Sequence, residues 1–226
     1  MTRAVALLPV LPGDLAALED SLDHLIEAAD EASAAGVATT LLITTSAPAA
    51  ATARVLASWV PLLDLLDDVD LQVEHHPGPG PAVDRDVDPA AEVVRLLTRA
   101  AEGLPLRLPD TATTVVLTST PDVAVGPDWI TEHVRHHRAG ATATTGPVRR
   151  VSPAAAPGDH RHDTVANLAV RADLLPAGAL AVLTALGGPG GHDGGHDGGH
   201  DGGRTTLVHA LTPVVASPSV TIPASP

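Results

Sequence analysis

The stretch TVVLTSTPDVAVGPDWI, residues 114–130, decides the fold: an apolar run stops in a cluster of polar residues, and a helix opens shortly after it. Val115, Val116 and Leu117 show no polar alternation, which is the pattern of a strand buried on both faces at the centre of a parallel sheet. Thr118 to Asp122 reads as its carboxyl-end loop, and Gly126-Pro127-Asp128-Trp129 as the start of the next helix. Open parallel sheets bind ligands beyond the carboxyl ends of their strands. A site therefore belongs at this loop.

Toward the amino terminus the same alternation of strand and helix recurs. Ala4 to Val10 is a short apolar run. Leu15, Leu18, Leu22, Leu25, Ile26 and Ala29 then repeat at helical spacing, with Asp14 placed to cap and Gly36 to terminate. Val37 to Thr45 reads as a second strand, followed by a helix carrying Val55, Leu56 and Trp59 that Pro61 breaks or kinks before Leu62 to Leu66 resume. Val69, Leu71 and Val73 alternate as a third strand. Beyond the Pro/Gly/Asp-rich stretch 75–87, Asp88-Pro89 starts a helix using Val93, Leu96, Leu97 and Ala100. Toward the carboxyl terminus, a helix over 127–138 leads through Gly140 to a fifth strand over 141–148. Val165 to Arg171 is strand-like, 172–186 is helix-prone and 205–216 is apolar. Strands alternating with helices predict an α/β fold with a mostly parallel sheet and right-handed crossovers.

The 226 residues, 44% hydrophobic, are enough for one domain with a sizeable core. We place it at 1–216, with the glycine-rich His-Asp-Gly repeat of 190–203 as a low-complexity loop and 217–226 as a flexible tail. Phe and Tyr are absent, so Val, Leu and Ala must carry the packing. A formal charge of -14, from 27 acids against 13 arginines, repels polyanions and argues against nucleic acid as a partner. The lack of cysteine excludes disulfides, thiolate metal sites and a cysteine nucleophile. The first apolar run is too short to span a membrane and badly shaped for a signal peptide, so a cytoplasmic protein is expected. No G-x-G-x-x-G follows the first strand, and neither G-x-x-x-x-G-K-[ST] nor G-x-S-x-G occurs.

Four stretches in order carry a resemblance. The first strand runs into Pro9. Residues 117–130 match a pattern in which D-x-D is followed by a short extended piece and P-D-W-[LI]. Residues 136–148, HHRAGATATTGPV, are similar to a helix, a G-A turn and a strand ending at G-x-V. Residues 165–171, VANLAVR, are close to G-A-N-L-x-[VF]-R. Together they resemble the family 2 glycosyltransferases, which have the nucleotide-diphosphosugar (GT-A) fold, a three-layer arrangement around a mostly parallel sheet. The resemblance implies transfer of a sugar from a nucleotide-diphosphosugar to a hydroxyl of a small-molecule acceptor. It also implies a divalent cation, Mg²⁺ or Mn²⁺, held against the donor diphosphate by D-x-D carboxylates.

The chain departs from that pattern where the chemistry sits. Thr120 stands at the first Asp of D-x-D, so Asp122 alone is left as metal ligand and catalytic carboxylate, weakening any grip on the cation. The acid expected after the first strand is replaced by Val10-Leu11-Pro12-Gly13, with Asp14 the nearest substitute. The region after the second strand reads Thr44-Thr45-Ser46, whose hydroxyls suit either a nucleoside or local backbone bonding. The resemblance places Pro9, Asp14, Thr45, Thr120, Asp122, Trp129, Asn167 and Arg171 around the substrates. It puts the general base after Gly187-Gly188, where Asp193, Asp197 and Asp201 of the repeat are the candidates, as are the adjacent histidines, beside a purely solvated reading of that loop. His133, His136 and His137 share a helical face at chelating spacing, but no third ligand type follows in sequence, and exposed histidines on a solvated helix are the expectation. The alternative to an enzyme is a scaffold that keeps the fold without turnover.

Overall fold

The computed structural model describes residues 2–77, 89–108, 110–145 and 167–175, together with the backbone of 220–221. The elements run β1 (Thr2–Val10), α1 (Leu15–Ala34), β2 (Val37–Thr45), α2 (Ala49–Leu56), α3 (Val60–Leu63), β3 (Val69–His75), α4 (Pro89–Arg107), β4 (Thr114–Thr118), α5 (Trp129–Arg138), β5 (Ala143–Thr145), β6 (Leu168–Arg171) and β7 (Val220–Thr221). The strands form one sheet in the order β3-β2-β1-β4-β6-β5-β7. β1 pairs in parallel with β2 and with β4, and β2 in parallel with β3. β6 runs antiparallel between β4 and β5. The sheet is thus mostly parallel with one reversed strand, which the apolar run over 165–171 did not announce.

Alternating residues of β1 explain the unbroken apolar pattern of its sequence. Ala4, Ala6, Leu8 and Val10 face one core with α1 and α5, whereas Val5 and Leu7 face a second core with α4. Helices therefore cover both sides of the sheet, giving three layers. On α1 the buried positions Leu18, Leu22, Leu25 and Ala29 follow the predicted helical stripe, and Ala28 and Ala32 allow close approach to the sheet. Truncating Leu22 or Leu25 to Ala, each 1% exposed, would cost about 2–5 kcal/mol through lost burial and the cavity left behind.

The helix ends follow sequence chemistry. Gly36 and Gly140 lie just past α1 and α5 with φ of 72° and 102°, in the left-handed region that glycine enters without steric cost. Pro61 sits in the first turn of α3, after a turn at 57–59 interrupts the path from α2. Among the described residues, no helix is long and apolar enough to cross a membrane. The predicted helix over 172–186 begins as a 3-10 turn at Ala172–Leu174, and its remainder from 176 lies outside the described residues.

Candidate functional site

β2 and β3 lie on one side of β1 and β4 on the other, so the direction of winding reverses between β1 and β4. At such a point the loops leaving adjacent strands open a crevice at their carboxyl ends. Pro9 lies there. The last β1–β4 pair is Leu7 with Thr118, and the Leu7 carbonyl accepts the Ser119 N–H at 3.1 Å. Alternation turns Pro9 to that same side, beyond the end of the ladder, where its missing N–H costs no sheet hydrogen bond. A proline in a central strand is tolerated because the neighbouring strand has already stopped.

On the β1–β2 side of the crevice, Thr45 and Asp14 bond to backbone. The Thr45 hydroxyl donates to the Val10 carbonyl at 2.8 Å and accepts the Ala47 N–H at 2.9 Å, tying the two strand ends together. Asp14 precedes α1 but does not cap it with its side chain; its carboxylate accepts the Leu11 N–H at 3.0 Å and closes the turn after β1. Next to them, Arg95 of α4 forks onto Glu92 at 2.6 and 2.8 Å and donates to the His76 carbonyl at 3.1 Å, fastening α4 to the end of β3. The Arg95 guanidinium holds the Glu92 carboxyl below its ordinary pKa, with the Ser46 hydroxyl adding to the effect, so buried Glu92 is ionised and paired.

On the β4 side, two sets of polar side chains bond to one another. The loop after β4 turns at once, with the Val123 N–H on the Thr120 carbonyl at 3.0 Å. Within that turn the Thr120 hydroxyl donates to Asp122 Oδ1 at 2.7 Å, a charge-assisted bond of the short kind. A few residues on, the Trp129 indole N–H donates to Asn167 Oδ1 at 2.9 Å. That bond fixes the Asn167 amide, because an indole N–H can only donate. His133 Nε2 lies 2.9 Å from the same oxygen and must therefore carry its proton. The proton-free Nδ1 then accepts from the Thr144 hydroxyl at 2.5 Å, and the Thr144 oxygen accepts from His137 Nε2 at 3.3 Å.

This directional chain joins α5, β5 and the start of β6 through neutral imidazoles. Burial pushes the His133 and His137 pKa values down to about 4 each, against a weaker upward pull on His133 from Asn167. His133 is 0% and His137 8% exposed. The expected solvated face of histidines is thus corrected: these two point into the fold beside Trp129, Ile130 and Val134. A sequence signal existed, since 129, 130, 133, 134 and 137 form one helical stripe whose other members are apolar. Asn167 has a φ of 112°, an unfavourable conformation for a side chain-bearing residue, and its N–H bonds the Thr118 carbonyl at 3.0 Å. Its bonds on both sides hold that conformation.

Of the residues predicted around the substrates, the structure joins Thr120 to Asp122 and Trp129 to Asn167, all at or near the carboxyl end of β4. It sets Pro9 across the crevice. Thr45 and Asp14 close strand ends, and Arg171 forks onto Asp173 at 2.7 and 3.0 Å. Asp193, Asp197, Asp201, Gly187 and Gly188 lie outside the described residues. Sequence reasoning missed Glu92, Arg95 and Thr144, which carry no motif and are recognised only by what they meet. Among the described residues no three His, Asp or Glu side chains cluster to hold a metal, and the T-x-D turn offers a single carboxylate, so a divalent cation at Asp122 would take most of its oxygen ligands from phosphate and water.

No protein-family profile matches the sequence, and no curated protein matches it. Solved structures do share the fold. A 4-diphosphocytidyl-2C-methyl-D-erythritol synthase superposes with a TM-score of 0.52 at 12% identity, over 100% of this chain and 90% of that one. The mannosyltransferase PcManGT from Pyrobaculum calidifontis, in complex with GDP-Man and Mn²⁺, superposes with a TM-score of 0.50 at 14% identity, over 82% of this chain and 52% of that one. The architecture is therefore the GT-A-like three-layer fold around a mostly parallel sheet. Their names denote different activities, so the shared fold leaves the reaction to be argued from the site.

Proposed function

We propose that the chain is a glycosyltransferase-like protein that takes a nucleotide-diphosphosugar over the carboxyl ends of β1, β2 and β4 and transfers its sugar to a hydroxyl of a small acceptor. The observation that carries this reading is the Thr120–Asp122 pair at the carboxyl end of β4, at the winding reversal of a GT-A-like sheet. PcManGT, with the same fold, is bound to GDP-Man and Mn²⁺. In the reaction the acceptor oxygen attacks the anomeric carbon as the bond from that carbon to the diphosphate breaks. The nucleoside diphosphate leaves with the electron pair, and a carboxylate takes the acceptor proton.

In this reading Asp122, in the turn after β4, is the carboxylate that faces the donor, and the Thr120 hydroxyl sets its orientation. In this reading Asp193, Asp197 or Asp201 takes the proton. A donor-hydrolysis assay across UDP- and GDP-sugars tests it. Release of nucleoside diphosphate that falls at least about tenfold in Asp122→Ala, the loss of one charged hydrogen-bonding group, supports the enzyme; no release from any donor sinks it.

A second reading, a scaffold without turnover, draws on the β1–β2 side, where Asp14 and Thr45 are both committed to backbone. It predicts a well-folded Asp122→Ala variant indistinguishable from the parent in every assay of donor binding or hydrolysis.

A further inference from the structure

We infer that the outer edge of β3 and the exposed flank of α3 dock an extended basic segment of another protein, independently of the reaction proposed for the crevice. Among the described residues the exposed large aliphatic side chains are Val60, Leu62 and Leu65, at 42%, 47% and 78% exposure. All three fall within residues 60–65, whereas such side chains are ordinarily scattered singly over a surface. Leu63 anchors α3 in the core, with Trp59 and Leu66 packed beside it. That leaves Leu62 and Leu65 on one outward flank, a turn apart and joined by the Leu65 N–H on the Leu62 carbonyl at 3.1 Å. α3 packs on β3, whose Val69, Leu71 and Val73 lean into the same core. β3 pairs with β2 along its whole length and is the terminal strand of the described sheet, so its other side presents a row of backbone N–H and C=O groups.

Charge decides the occupant. Residues 59–75 hold Asp64, Asp67, Asp68, Asp70 and Glu74 and no arginine or lysine. The arginine–carboxylate pairs among the described residues lie elsewhere, on Glu92, Glu102, Glu132 and Asp173, so Asp64, Asp67 and Asp68 keep their full charge beside the exposed leucines. The turn that carries them is fixed: the Ser33 hydroxyl donates to the Asp67 carbonyl at 2.6 Å, and the Thr39 N–H to the Asp68 carbonyl at 2.8 Å. A second copy of the chain would bring these acids against their own kind. A segment of alternating basic and apolar residues instead meets them with opposite charge, lays apolar side chains on Leu62 and Leu65, and pairs its backbone with the open edge. β2 and β1 stand between this edge and β4, so the docked segment lies away from the turn of Asp122.

The probe is a synthetic peptide of alternating arginine and leucine, blocked at both ends and fluorescently labelled, titrated by anisotropy against the full chain beside a matched peptide with glutamate for arginine. Three variants accompany wild type: Leu62→Ser with Leu65→Ser; Asp64→Asn with Asp67→Asn and Asp68→Asn; and, as a control of equal charge, Glu19→Gln with Asp20→Asn and Asp23→Asn on α1. All these side chains are exposed, so the fold is kept. Saturable binding of the basic peptide alone is expected, weakened about tenfold by the leucine variant and by the aspartate variant and unchanged in the α1 control. Hydrogen exchange of the β3 amides should slow in the complex. Binding that survives the leucine variant, or that falls equally in the α1 control, reduces the contact to a general attraction of opposite charges and overturns the inference. Absence of binding by wild type overturns it too. A wild type that sediments as a dimer and becomes monomeric in the leucine variant gives this edge to a second copy and overturns it as well.

Discussion

At the carboxyl ends of β1 and β2, polar side chains hold backbone: Thr45 joins Val10 to Ala47, and Asp14 closes the turn on Leu11. Around the end of β4 they hold one another: Thr120 orients Asp122, and Trp129, Asn167, His133, Thr144 and His137 follow in one directional chain. The first arrangement stabilises locally, since each bond spans a few residues or one strand pair. The second locks α5, β5 and β6 beside the turn that carries Asp122. On the proposed reading Asp122 is the binding group, and the Thr120 hydroxyl keeps its carboxylate directional.

The largest effect is expected at the joint of the second arrangement. Asn167→Ala strips the buried Trp129 and His133 donors of their acceptor. It should lower stability by about 4 kcal/mol, from two buried donors left unsatisfied at about 2 kcal/mol each. Urea unfolding checks this. A loss under about 1 kcal/mol would show that the chain of bonds contributes little.

Acid is the next lever. His133 and His137 have folded pKa values near 4 against an unfolded value near 6.5. Between those limits the unfolded chain binds more protons, so stability is full above pH 6.5 and declines as pH falls toward 4. Each histidine should remove about 2 kcal/mol between pH 7 and pH 5. Denaturation at pH 7, 6 and 5 measures the slope; a flat profile would mean that these imidazoles titrate normally and the network opens freely. Asn167→Asp sharpens the point, because a carboxylate facing His133 should raise its pKa and flatten the decline.

The β1–β2 side should respond more mildly. Thr45→Val removes a donor and leaves the Ala47 N–H without its acceptor, a loss of about 1–2 kcal/mol, and should leave ligand affinity unchanged. A drop in affinity greater than the stability loss would move Thr45 from strand closure into the site. Asp14→Ala should be smaller, about 1 kcal/mol or less, since the Leu11 N–H it serves is only part-buried. Thermal denaturation resolves both.

Much of the sheet was legible because β1, β2 and β4 are buried on both faces and α1, α4 and α5 carry clear helical spacing. The direction of β6 was not, since Leu168, Ala169 and Val170 are a short apolar run and such a run reads alike whichever way it is laid down. Thr120 and Asp122 were legible as a turn at a strand end. Their hydrogen bond depends on rotamers that sequence does not show. The resemblance marked Trp129 and Asn167 separately, 38 residues apart, and only the antiparallel placement of β6 beside β4 brings them into contact. The buried histidines were misread because residue type outweighed position: His133 and His137 lie on the stripe of Ile130 and Val134.

The central claim is that Asp122 at the end of β4 belongs to a nucleotide-sugar site, and calorimetric titration of wild type and Asp122→Ala with UDP- and GDP-sugars tests it most directly. The account predicts saturable binding of at least one donor by wild type, weakened by about tenfold or more in the variant. Wild-type heats no larger than dilution, or identical isotherms for the two proteins, would contradict it.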